Sequence, residues 1–210
     1  MEVHRIINAV FTSNTYVLLQ RGTNWCWVID PGDIEPILNI ISGDVSLKGI
    51  FLTHTHYDHL YGINQIVYLY PDCVVYTSEA GKEGLFSDKL NFSRYHDDPI
   101  LFSGNNLHIL YDDDQIELFP GKFLTVLQTP GHDKSCLTYY TMDEIFTGDS
   151  FIPGVKVVTT FPRGDRQEAA QSLQLIMELV EGRDLYPGHG VSFTDFACTD
   201  EMKDRAKINM

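Results

Sequence analysis

The chain is poor in several things on which a function could be built. Its four cysteines, Cys26, Cys73, Cys136 and Cys198, stand far apart with no Cys-x-x-Cys pair. They read as reduced, mostly buried thiols rather than a disulfide framework or a dithiol redox motif. Basic residues are scarce: 15 Lys and Arg stand against 29 Asp and Glu, for a formal net charge of −14. A phosphate-rich polymer demands basic tracks that this composition does not supply, so a nucleic-acid partner is excluded from the reading. No apolar run approaches the length of a membrane span, and Met1 to Phe11 lacks the basic region and long apolar stretch of an export signal. These absences lead to the expectation of a cytoplasmic protein with a small-molecule substrate, no nucleic-acid partner and no membrane partner. They say nothing about oligomeric state. The run Asp112–Asp114 lacks the spaced ligands of a calcium loop and reads as a solvated turn.

What is present is a core and a concentration of histidine. With 210 residues and 43% hydrophobic content, the chain is long enough for one substantial core, read as a single domain over residues 1–210. Three of its eight histidines fall in Thr53-His-Thr-His-Tyr-Asp-His-Leu-Tyr-Gly62, which sets His54, His56, Asp58 and His59 side by side. Imidazole and carboxylate are the nitrogen and oxygen donors that zinc accepts, and such a cluster is otherwise costly to bury. Leu47 to Thr53 reads as an apolar strand, so the cluster falls at a strand end. Sites collect at strand ends in layered α/β folds.

Neighbouring side chains diverge from the backbone, so four ligands from so short a segment cannot all serve one ion. Two metals are the natural reading. The rest of each shell has to come from elsewhere, and three glycine loops each place a donor directly after a glycine: Thr129-Pro-Gly-His132, Phe146-Thr-Gly-Asp149 and Tyr186-Pro-Gly-His189. A closed structural zinc site favours four ligands and usually cysteine, and no cysteine joins this pattern. His4, His96 and His108 are isolated and read as surface or hydrogen-bonded residues.

The order of these motifs, with the Asn14-Thr-Tyr-Val-Leu-Leu19 strand and Val28-Ile-Asp-Pro-Gly32 ahead of them, resembles the metallo-β-lactamase-fold superfamily, and within it the single-domain, glyoxalase II-like hydrolases. The resemblance implies an α/β fold, a four-layer αββα sandwich of two mixed β-sheets with outer helices. It also implies a ligand set: His54, His56 and His132 on one metal, Asp58, His59 and His189 on the second, Asp149 bridging them, and Asp30 orienting the ligands from behind. The cofactor expected is a pair of divalent ions, zinc first, with iron and manganese equally suited to such donors.

The implied reaction is hydrolysis of a small thioester, ester or lactone, with a hydroxide shared by the two ions attacking the carbonyl carbon. Asp58 could be mainly a ligand, or the catalytic group that orients the nucleophile and accepts its proton. Ser135 and Cys136 are then ordinary strand-entry residues. Two alternatives use the same fold: a mononuclear iron oxygenase resembling persulfide dioxygenases, and a metal-binding protein without turnover. In the stretch Gly154 to Asp165, the usual basic position of the glyoxalase II-like relatives is Val158, with Lys156 and Arg163 as nearby substitutes.

Periodicity predicts strands over 3–11, 14–20, 25–30, 74–77, 115–119, 122–128, 136–140 and 144–146, and helices over 34–41, 59–69 and 166–180. The helix over 166–180 carries Ala169, Leu173, Ile176, Met177 and Val180 on one face, a core stripe. The segment 82–114 reads as a long irregular lid or pocket wall, because its aromatics do not suit a fully solvated loop.

Overall fold

The computed structural model describes residues 1–41 and 43–194; Cys198 lies outside the described residues. Two compact units divide after Leu110. In the first, strands β1 (Glu2–Ile7), β2 (Asn14–Leu19), β3 (Trp25–Ile29), β4 (Ser46–Phe51), β5 (Val74–Thr77) and β6 (Leu107–Ile109) form one sheet in sequence order. The pairs β1–β2 and β2–β3 are antiparallel, and β3 through β6 run parallel. Parallel neighbours need crossovers. Helices α1 (Ile34–Ile40) and α2 (Ile63–Leu69) supply the first two, and the third contains α3 (Glu79–Leu85).

Alternation along the strands sends Val28, Ile50 and Val75 into one cluster with Ile37 of α1 and with Ile63 and Ile66 of α2. The intervening Trp27, Phe51 and Tyr76 stack in a row, with ring centroids 5.4 and 4.8 Å apart. Both faces of the sheet are therefore apolar, as a parallel sheet requires. Fully burying one Ile or Val of this kind contributes about 1.5–3 kcal/mol.

The second unit is a five-stranded sheet in the order β11–β10–β9–β8–β7, built from β7 (Gln115–Phe119), β8 (Lys122–Gln128), β9 (Leu137–Tyr140), β10 (Glu144–Gly148) and β11 (Asp184–Pro187). Among the described residues its one parallel pair is β10–β11, and α4 (Arg166–Val180) is the crossover between them. Asp165 caps α4 by accepting from the Gln167 and Glu168 amides at 2.7 and 2.9 Å. The buried face of α4, Leu173, Ile176 and Val180, packs on Ile145, Phe151 and Leu185, as the sequence stripe predicts. Both sheets are mixed and flanked by helices.

Three expectations shift. The first strand ends at Ile7 rather than at residue 11. Asn8 starts a turn, its side chain donating to Ser13 and Thr15, and Phe11 and Thr12 take left-handed φ of 49° and 56°. The helix expected over 59–69 begins only at Ile63, after a 3₁₀ turn over Tyr57–His59. Gly62 marks the break: its amide donates to the Pro31 carbonyl at 3.0 Å rather than to a carbonyl one helical turn back, and the close approach leaves no room for a Cβ, which would lie 2.2 Å from the Gly32 carbonyl oxygen. The segment 82–114 is more regular than its composition suggests: α3 enters it, capped by Ser78 accepting from the Gly81 amide, and β6 closes it. Ile100 and Phe102 are buried in the core of the first unit, and Asn91 holds the chain between by donating to the Gly84 and Ile100 carbonyls. Among the described residues, no helix is long and apolar enough to cross a membrane.

Candidate metal centre

In the first unit the donors follow directly on β4. His54, His56 and His59 are buried, with ring centroids 4.6 Å apart for His54–His56 and 4.3 Å for His54–His59. Three imidazoles this close and this dry repel one another if protonated, and neutral rings that offer lone pairs to metal cations resolve the conflict. Asp58 projects from the 3₁₀ turn with Oδ2 3.4 Å from His59 Nε2, its side chain 14% exposed. The turn is pinned from β2's approach by the Ser13 hydroxyl, which donates to the Asp58 carbonyl at 2.6 Å.

Asp30 organises this set from behind. It is buried and sits at the end of β3 with a left-handed φ of 52°, a conformation Asp tolerates better than most residues. Its Oδ1 accepts from the Thr53 amide at 2.7 Å and its Oδ2 from the Thr53 hydroxyl at 2.6 Å. Oδ2 also lies 3.0 Å from His59 Nδ1. A carboxylate partner makes His59 Nδ1 the donor and turns the Nε2 lone pair outward. Thr53 extends the same logic: its proton goes to Asp30, so its oxygen accepts from His54 Nδ1 at 3.2 Å and leaves the His54 Nε2 lone pair for a ligand role. Donor atoms of Asp30, His54 and His59 lie within 4.8 Å of one another, and the hydrogen bonds make Asp30 the orienting member. Burial pushes its carboxyl pKa up, against the lowering pull of His59 and Thr53.

In the second unit the donors come from three strand ends. His132 sits in the loop after β8. Gly131 before it has φ 133°, and a Cβ there would lie 2.2 Å from the Ala169 nitrogen, so only glycine fits against α4. The loop is tied to α4 on both sides. Ser172 Oγ donates to the Pro130 carbonyl at 2.7 Å, and the Asp165 amide donates to the Gly131 carbonyl at 2.8 Å. His132 Nδ1 donates to the Val158 carbonyl at 2.8 Å, which again leaves Nε2 as the metal-facing nitrogen.

Asp149 follows Gly148, whose φ is 50°, and His189 follows Gly188, whose amide donates to the Gly148 carbonyl at 2.8 Å. Among the three loops, Gly131 and Gly148 have the positive φ that the sequence suggests; for the third it is Gly190 rather than Gly188.

Asp149 Oδ2 stands 3.6 Å from His132 Nε2 and 3.5 Å from His189 Nε2. These separations are long for hydrogen bonds. They match the edge of a tetrahedron with metal–ligand bonds of about 2.0–2.1 Å, which is about 3.3–3.4 Å. The donor set of nitrogens and carboxylate oxygens, mostly buried and spaced in this way, fits divalent metal ions.

The remaining candidates separate cleanly. The Ser135 hydroxyl donates to Asp133 at 2.5 Å, and burial pushes the Cys136 thiol well above its usual range. Neither is a nucleophile. Cys26, Cys73 and Cys136 are free and buried, as expected. Arg163 Nε lies 3.4 Å from the buried Asp133 carboxylate, whereas Lys156 lines a cavity with His132, Asp149 and His189. Thr53 and the Val158 carbonyl were not legible as functional in the sequence, because their roles rest on hydrogen-bond geometry. Two residues of the irregular segment do meet the donor region: Phe92 packs 4.8 Å from His56, and His96 stacks on Tyr57 at 3.7 Å.

Known proteins resemble this chain. Residues 9–189 match the Metallo-beta-lactamase superfamily. A hydroxyacylglutathione hydrolase of Vibrio cholerae is 30% identical over 181 residues, covering 85% of this chain and 62% of the relative, so the chain spans under two thirds of that enzyme's length. A probable metallo-hydrolase of Streptococcus pyogenes is 31% identical over 201 residues, covering 92% of this chain and 86% of the relative. The crystal structure of the BLEG-1 B3 metallo-beta-lactamase superposes with a TM-score of 0.83 at 25% identity, over 92% of this chain and 94% of that one. A match over that length, with the histidine segment and all three glycine loops inside it, means that the chain belongs to the metallo-beta-lactamase superfamily.

Proposed function

We propose that the protein is a metal-dependent hydrolase of a small thioester, ester or lactone, using two divalent ions, zinc first among them. In this reading His54, His56 and His132 hold one ion, Asp58, His59 and His189 hold the other, and Asp149 is shared. The observation that carries it is Asp149 Oδ2 standing 3.6 and 3.5 Å from two imidazole nitrogens, the disposition of a bridging carboxylate. The hydroxyacylglutathione hydrolase and metallo-hydrolase relatives support the reaction class. Three free, buried cysteines suit a reducing compartment such as the cytoplasm.

When bound, the ions supply Lewis acidity toward the carbonyl and lower the pKa of water toward about 7. The chain's own residues do the rest. Asp30 and Thr53 hold His59 and His54 in the tautomer whose Nε2 accepts, and the Val158 carbonyl does the same for His132. Asp58, the donor of the first unit that still reaches solvent, takes a proton from the attacking water as its oxygen bonds to the acyl carbon. It returns that proton to the leaving sulfur or oxygen as the acyl bond breaks. A thioester and water thus become a carboxylic acid and a thiol.

The test pairs metal analysis of the full chain with hydrolysis of a thioester, ester and lactone panel. The expected result is about two zinc ions per chain and turnover that falls at least about 100-fold in Asp58→Ala, at the lower end of what general acid–base groups contribute. A single iron with oxygen uptake, or full metal loading with no turnover on the panel, overturns the proposal.

A further inference from the structure

The cavity beside Asp149 is walled by hydrocarbon. It has a volume of about 210 Å³ and is lined by Ile152, Val155, Val157 and Val158 together with His132, Asp149 and His189. The turn that builds the wall is tight: the Val155 amide donates to the Ile152 carbonyl, and Gly154 between them has φ 77°. Val155 and Val158 are 55% and 44% exposed, and Phe161, whose ring stands edge-on to His132 at 5.7 Å, is 39% exposed. Apolar side chains left open beside metal-type donors are stabilised when a ligand covers them.

Positive charge beside this wall is sparse. Of the two cations in this loop, Arg163 is held by the buried Asp133 carboxylate, so Lys156 is the cation on the lining. The whole chain carries −14, which works against a polyanionic substrate.

We infer that this wall is the acyl subsite and that it takes an unbranched, uncharged aliphatic chain of about four to eight carbons, making the substrate class a fatty acyl thioester or ester rather than the thioester of an anionic peptide. The inference rests on the hydrolase reading and refines its substrate. The volume corresponds to about seven water-sized groups at about 30 Å³ each, which, with the acyl carbonyl carbon left outside the cavity, sets an upper limit of about eight carbons. Val158 contributes twice, its carbonyl fixing His132 while the residue, 44% exposed, also lines the cavity. The side chain can therefore be exchanged without disturbing the hydrogen bond to the ligand.

The test is calorimetric titration of the zinc-loaded full chain with acetate, butyrate, hexanoate and octanoate, alongside hydrolysis of the matching acyl thioesters. Affinity should rise about threefold per methylene through hexanoate and level off by octanoate, slightly below the fourfold that full burial of a CH₂ gives. In Val158→Lys the rise should collapse to less than about threefold over the whole series, with zinc content unchanged. Val155→Lys, at the more exposed position, should repeat the effect. A flat series in the unaltered protein, or a slope unchanged in both variants, overturns the inference even if thioesters are cleaved. A retained slope with no cleavage of any thioester overturns the hydrolase reading and leaves the acyl subsite standing.

Discussion

The two units supply donors of the same chemistry by opposite means. The first packs His54, His56, Asp58 and His59 into one segment after a single strand and wires it to Asp30 and Thr53 through buried hydrogen bonds. The second draws His132, Asp149 and His189 from three loops after β8, β10 and β11, held mainly by backbone contacts to α4 and to one another. Exposure does not follow that difference: Asp58 and Asp149 are 14% and 13% exposed, whereas His54, His59 and His132 are buried. The first unit fixes its ligands through charge and hydrogen bonding. The second fixes them through backbone shape and sets hydrocarbon beside them, which suits it to recognising a substrate.

Three substitutions sharpen that contrast. The largest effect is expected from Asp149→Ala, where in the proposed two-ion reading one carboxylate serves both ions. Metal content should fall from about two per chain to below one, and activity by more than the roughly 100-fold that orienting residues cost, as read by metal analysis with steady-state kinetics. Two ions retained at unchanged affinity would remove the bridging role.

Next comes Asp30→Asn, which keeps a side chain tolerant of the left-handed backbone but removes the charge behind His59. Zinc affinity should weaken about 10–100-fold in competition with a chromogenic chelator, while circular dichroism stays unchanged. If zinc affinity is unaltered, Asp30 is holding the fold rather than the ligands.

The smallest is Thr53→Val, which keeps the branched shape and deletes the hydroxyl between Asp30 and His54. Stability should fall by about 1.5–3 kcal/mol in denaturant titration, the scale of a hydrogen bond to a charged group, with a loss of zinc affinity smaller than that of Asp30→Asn. An effect equal to that of Asp30→Asn would mean that the relay, not the carboxylate, sets the ligand geometry.

Elements with a strong period were readable before any coordinates: α4 from its apolar stripe, and β4 and β8 from their apolar character. The segment 82–114 was not, because α3 contains two glycines that lower helix propensity and is stabilised by tertiary contact. Ile100 and Phe102 look like loop hydrophobics until the core of the first unit is seen to include them. The helix expected from residue 59 failed because the Gly62 amide is taken by the distant Pro31 carbonyl, a contact that no periodicity encodes. Among the site residues, the dense segment announced itself, and the glycine before each of the other three donors was the signal for them. Arg163 and Lys156 looked equivalent in the sequence, and only the ion pair with Asp133 distinguished them.

Sequence alone determined the donor inventory, the loops that carry it and the acidic character of the chain, since residue type and glycine placement are local properties. Tertiary structure decided which nitrogen of His54, His59 and His132 carries the lone pair, which cation is already neutralised and that the cavity wall is aliphatic. Those depend on partners distant in the chain, whose approach is set by packing, and no local pattern contains that information.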